Sequence, residues 1–250
     1  SRLLSWMNVA LPPNVFYLEA AEGQQTVRAK YAVISSRDFA QAATLDCIHA
    51  IIWGRFCQPF VLVYARDAQA HDQVVQAATQ AVLTLMSRAL AQFPSQGTQQ
   101  PFDSASLWQK GFQETYRSEL RPEHPDTIRS LYTAAPERYD RVGRAALQIL
   151  AQQHILQLTE KGDELFFNLS ERARRQLLKS WRMQRPLAKT LYALRLLKSA
   201  FTFGDWLPYA LWKLQRHTGI QVGLTERQRK HPLIWGWPVI LKLLARRHLR

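Results

Sequence analysis

The chain is most informative first through what it has little of. Only two of its 250 residues are cysteine, Cys47 and Cys57, which excludes a disulfide-built scaffold, gives too few thiolates for a cysteine-based metal site and points to a reducing compartment. Glycine counts only 10, and no Walker loop, dinucleotide-binding fingerprint, nucleophile elbow or zinc-ligand spacing occurs, so no glycine-rich cradle for phosphates lies in this stretch. No apolar run reaches the ~18 residues that span a bilayer, and the first residues form no signal-peptide core, so a soluble or peripheral protein is expected. Hydrophobic residues make up 47%, enough for a packed core in one large domain or two smaller ones.

Acidic residues are nearly missing from one third of the chain. Residues 1–171 hold 15 Lys or Arg and 17 Asp or Glu, whereas residues 172–250 hold 18 basic residues against only Asp205 and Glu226. The net charge of +14 therefore comes entirely from the last third, which implies an anionic partner: nucleic acid, acidic lipid or a charged substrate.

Hydrophobic periodicity predicts an α+β protein. Val15–Ala20 and Thr26–Ile34 read as a hairpin through Gly23. Ser35, Ser36 and Asp38 offer caps for a helix over 39–53, ended at Gly54. Phe60–Tyr64 reads as a short buried strand, and 72–93 as a long amphipathic helix. Residues 94–98 read as a linker. Helices follow over 104–115, 126–134 and 136–153, the last opened by Pro136. Ile155–Leu158 and Leu165–Leu169 then form a two-stranded wing, and Ser170 caps a basic helix, a helix–wing–helix order that resembles a winged-helix fold.

Three segments could carry chemistry. Lys30 opens Lys30-Tyr31-Ala32-Val33-Ile34-Ser35, where a solvated lysine on an edge strand is the plain alternative. Arg55 follows Gly54 in Gly54-Arg55-Phe56-Cys57-Gln58-Pro59, where pairing with a helix C-terminus explains it as well. Gly111-Phe112-Gln113-Glu114-Thr115-Tyr116-Arg117-Ser118-Glu119-Leu120-Arg121 clusters aromatic, carboxylate and guanidinium groups, which a surface ion-pair cluster also explains.

In order and spacing these segments, with Val15-Phe16-Tyr17, the stretch from Ile128-Arg129 to Arg138-Tyr139, and Lys198-Ser199-Ala200-Phe201-Thr202-Phe203-Gly204, resemble the mitochondrial-type phosphatidate cytidylyltransferases, the translocator assembly and maintenance family. The resemblance implies transfer of a cytidylyl group from CTP to phosphatidate, giving CDP-diacylglycerol and pyrophosphate, on a nucleotidyltransferase-like domain with Mg²⁺. The lipid phosphate attacks the α-phosphorus in line, so positioning and charge neutralisation supply most of the catalysis. It implies phosphate or headgroup binding by Lys30, Arg55 and Arg121, orientation of Arg121 by Glu119, donation or base stacking by Tyr116, and lipid-head contacts by Lys198 and Thr202. The family's glycine-serine turn and metal-binding aspartates are expected upstream of Val15, and residues 1–14 do not contain them, so no metal ligand is assigned. Ala32 and Ser118 stand where the family prefers glycine, and Glu119 where it prefers aspartate.

The basic third is also rich in tryptophan, with Trp181, Trp206, Trp212, Trp235 and Trp237. The apolar run over 232–241 carries Trp235 and Trp237 and is flanked by Arg229, Lys230, Lys242 and Arg246. It is too short to cross a bilayer and suits the headgroup region of an anionic membrane, where tryptophan and cations both settle. A tail packed on the core, or a nucleic-acid site, are the alternatives, nucleic acid being the less favoured. The expected architecture is the remainder of a nucleotidyltransferase-like domain (1–100), a helical, winged-helix-like domain (101–185), and a basic membrane-associating region (186–250). The expected location is the cytoplasmic face of a bacterial inner membrane or the matrix face of the mitochondrial inner membrane.

Overall fold

The computed structural model describes residues 2–23, 25–94, 99–118, 125–162, 164–202 and 222–230, with Leu207, Leu211, Trp212 and Gln215. The protein is α+β. It divides into two compact units, one formed by Ile34–Arg195 and the other by Ser1–Val33 together with Leu196–Arg250.

In the unit that joins the two ends of the chain, α1 (Arg2–Ala10) leads into an antiparallel pair, β1 (Asn14–Glu22) and β2 (Gln25–Val33). Gly23 sits at φ +61°, in the left-handed region that a two-residue hairpin loop requires and that costs glycine least. Register places Lys30 opposite Tyr17 and Arg28 opposite Glu19, so alternation puts these four on one face. On the other face Phe16 and Tyr31 stack with ring centroids 5.1 Å apart.

The unit over Ile34–Arg195 is organised by α4 (Ala68–Leu90), which packs against α2 (Ser36–Ala42), α3 (Trp53–Phe56), α5 (Ser104–Ser118) and α7 (Pro136–Gln152). Asp67 caps α4 by accepting the Ala70 N–H at 2.7 Å. The helices α4 and α5 approach closely at Gly111, where a Cβ would lie 2.5 Å from Leu85 Cδ2. The Trp108 indole donates to the Tyr139 carbonyl at 2.8 Å and fastens α5 to α7. A small sheet has the order β3 (Gln100–Pro101), β5 (Glu164–Leu169), β4 (Leu156–Lys161). On its central strand Leu165, Phe167 and Leu169 alternate into the core. After α6 (Pro125–Thr133), α7 and the β4–β5 hairpin comes α8 (Glu171–Thr202), opened by the Ser170 hydroxyl on the Ala173 N–H at 3.2 Å.

Two expected elements are corrected. The single helix over 39–53 is broken, with α2 ending at Ala42 and α3 starting at Trp53. The cause is tertiary: Thr84 donates to the Ala43 carbonyl at 2.7 Å and Arg88 to the Leu45 carbonyl at 2.8 Å, so α4 takes acceptors a continuous helix would use itself. The apolar run Phe60–Tyr64 is neither a strand nor buried; Val61, Val63 and Tyr64 are exposed. Its residues favour a pleated surface, but among the described residues no strand pairs with it. Of the expected linker over 94–98, Pro94 is exposed and residues 95–98 lie outside the described residues.

Candidate functional site

In the unit formed by the chain ends, the motif around Lys198 is brought to the start of β1. Lys198 is buried, and its ammonium donates to the Leu11 carbonyl, to the Pro13 carbonyl at 2.8 Å and to Asn14 Oδ1 at 3.1 Å. An ammonium is a donor only, and all three of these groups are acceptors. Thr202, one helical turn further, donates to the Val15 carbonyl. Lys198 and Thr202 thus anchor the end of α8 to residues 11–15 and position β1 and β2. Lys30 is exposed on β2, on the face where Arg28 Nε meets Glu19 Oε1 at 2.9 Å. The Tyr17 hydroxyl, also bonded to Glu19, is the main cause holding that carboxyl below its usual range, with Arg28 adding to it. The Arg28 guanidinium lies 4.9 Å from the Trp212 ring centroid.

Three further motifs meet in the other unit. Gly54 of α3 lies against α5, where a Cβ would stand 3.1 Å from Thr115 Cγ2. Tyr116, the next residue of α5, is half-buried against the core, while Arg55 is exposed and donates to the Ile51 carbonyl at 3.2 Å. Arg138 donates to the Cys57 carbonyl at 3.4 Å and brings α7 to the same place. Glu119 and Arg121 lie outside the described residues. Burial pushes the Cys57 thiol up to about 12 and raises Cys47 as well, so neither is an activated nucleophile at neutral pH.

Sequence reasoning passed over a buried charge network behind these motifs. Glu114, only 2% exposed, accepts from the Trp181 indole at 2.7 Å, from Arg117 at 2.9 Å and from Arg185. Arg88, 3% exposed, donates to the Leu45 carbonyl and to Gln184 Oε1 at 3.0 Å, with its guanidinium 4.0 Å from the Trp181 ring centroid and 5.2 Å from that of Trp53. Burial lowers Arg88 to about 10, which still leaves it charged at neutral pH. Burial, then the nearby Arg195, pushes His49 down to about 3, so its imidazole is neutral. The signal was a lone arginine in an apolar stretch of α4: every residue of 81–91 is buried.

The proposed membrane residues are only partly described. Arg229 is exposed on α9 (Glu226–Lys230), whose start is a capping box in which Thr225 and Gln228 exchange hydrogen bonds at 3.0 and 3.4 Å. Lys230 ends that helix, and Trp235, Trp237, Lys242 and Arg246 lie outside the described residues. Among the described residues no helix is long and apolar enough to cross a membrane, and no group of three His, Cys, Asp or Glu could hold a metal ion. No protein-family model and no curated protein matches the chain. Chemically, the described site residues offer cations and aromatic surfaces for binding, with no nucleophile–base pair among those placed.

Proposed function

We propose that the chain belongs to a phosphatidate cytidylyltransferase, making CDP-diacylglycerol and pyrophosphate from CTP and phosphatidate at a membrane surface. The supporting observation is that sequence-distant segments carrying the resemblance pair up: Lys198 and Thr202 bond to residues 11–15, and Gly54 packs on Thr115 while Arg138 bonds to Cys57. Exposed Arg55 and Lys30 supply the phosphate-binding charge, Arg55 as a planar fork and Lys30 as a point charge. Tyr116 follows Thr115, the residue that Gly54 packs on, and offers a ring or hydroxyl to the nucleotide. Lys198 and Thr202 act as positioning residues. Mg²⁺ would neutralise the triphosphate and the leaving pyrophosphate, but the described carboxylates do not fit it: among the described residues no three His, Cys, Asp or Glu come together.

The helix–hairpin–helix run of α7, β4–β5 and basic α8 favours one second reading, a non-catalytic winged-helix-like module on nucleic acid or anionic lipid. Turnover separates the two. The full-length protein, given CTP, phosphatidate and Mg²⁺, forms CDP-diacylglycerol, and Arg55→Ala or Lys30→Ala lowers the rate about tenfold or more. Tight duplex binding with a steep salt slope and no lipid product supports the module instead. Loss of vesicle binding on deleting residues 225–250 tests the Trp-rich tail.

A further inference from the structure

The outer face of α8 combines two features that a helix facing only water does not need. Met183, Leu187 and Leu194 are 69%, 48% and 49% exposed, and their spacing of four and seven residues places them on one stripe. Arg172 and Lys179 continue that stripe toward the helix start, and Arg175, Arg182 and Lys189 recur every seven residues beside it, all exposed. The sole carboxylate of α8 is Glu171, which pairs with Arg174 and Arg175 at 3.8 and 3.2 Å. Among the described residues Arg172, Lys179, Arg182 and Lys189 form no ion pair. The opposite side of the helix is engaged, through buried Trp181 and Ala188 and the bonds of Gln184 and Arg185.

A nucleic-acid face would carry cations without a row of exposed Met and Leu, and a dimer face would not be dominated by one sign of charge. An anionic lipid surface satisfies both, because headgroups neutralise the cations while apolar side chains enter the acyl boundary. We infer that the outer face of α8, through Met183, Leu187 and Leu194 with Lys179, Arg182 and Lys189, docks on an anionic membrane. This surface is distinct from the Trp-rich tail. It rests on the proposed function only in that the same bilayer would hold the phosphatidate substrate.

The test is vesicle sedimentation of the full-length protein at physiological ionic strength, with phosphatidylcholine alone or mixed with phosphatidate. Each cation near a charged surface is worth about fivefold in partitioning, so Lys179→Gln with Arg182→Gln weakens binding roughly 25-fold. Met183→Gln with Leu187→Gln weakens it about tenfold or more at unchanged charge. Both double variants keep the wild-type melting temperature, since the replaced side chains are exposed. Binding unchanged in both variants overturns the inference and leaves the tail as the contact. Duplex DNA binding that the charge variant abolishes, without vesicle binding, also overturns it, as does a dimer that Met183→Gln with Leu187→Gln dissociates. Turnover on detergent-dispersed phosphatidate reports the cytidylyltransferase reading separately, because it needs no docking surface.

Discussion

Replacing Lys198 by methionine separates positioning from substrate binding at a residue where both roles have been argued. The side chain keeps its length and most of its apolar stem, but the Leu11 and Pro13 carbonyls and Asn14 Oδ1 lose their donor. Hydrogen bonds from a charged donor contribute about 1.5–3 kcal/mol each, and removing the buried ammonium recovers several kcal/mol of its desolvation. Orphaning the acceptors dominates, for a net loss of about 2–4 kcal/mol in the segment that α8 anchors. Amide hydrogen exchange reads this directly. Opening of β1 and β2 becomes more favourable, so amides over Asn14–Val33 exchange roughly 30-fold faster or more. The Michaelis constant for phosphatidate per folded molecule changes little. Unchanged exchange together with a tenfold rise in that constant would refute the positioning role and put Lys198 at the headgroup.

Glu114→Gln keeps the shape but turns an amide donor toward Arg185 and removes the charge, at about 3 kcal/mol, which for a unit of this size lowers the melting temperature by roughly 6–12 °C. A loss under about 1 kcal/mol in urea unfolding would show that α5 and α8 do not depend on this carboxylate. His49 is held near a pKa of about 3 in the folded state against about 6.5 unfolded, so the unfolded chain gains a proton first and stability falls as the pH drops below 6.5. Between pH 7 and pH 5 this term removes about 2 kcal/mol, and His49→Phe flattens the pH dependence of urea midpoints by that amount. Gly111→Ala drives a Cβ into Leu85, and the overpacking of about 1–3 kcal/mol outweighs the roughly 1 kcal/mol gain in helix propensity. A variant melting at or above the wild-type temperature would mean that α4 and α5 can separate at no cost.

The parts of the fold legible in the sequence were those fixed by local chemistry. Gly23 and Gly162 mark two-residue turns between alternating strands, and both sit near φ +60°. Pro136 opens α7, and the long α4 follows from its periodicity. The break after Ala42 was not legible, because the groups that cause it, Thr84 and Arg88, lie about forty residues away on α4. Phe60–Tyr64 has the composition of a buried strand, but composition does not supply a neighbouring strand. At the candidate site, Lys30 was legible as a solvated lysine on a strand, and Arg55 as a cation beside a helix end, where it donates to the Ile51 carbonyl. The burial of Lys198 was not, since its acceptors are more than 180 residues away in sequence. Glu114 read as one member of a surface charge cluster, and only its contacts with Trp181 and Arg185 make it an interior group.

The most direct test of the account follows cytidylyl transfer itself. Full-length protein is incubated with CTP labelled at the α-phosphorus, phosphatidate and Mg²⁺, and label is measured in the extracted lipid alongside released pyrophosphate. Cytidylyl transfer predicts lipid-bound label and pyrophosphate in equal amounts, both reduced about tenfold or more by Arg55→Ala in a protein that remains folded. Folded protein that gives no labelled lipid at saturating substrates, or that transfers label equally well without Arg55, would contradict it.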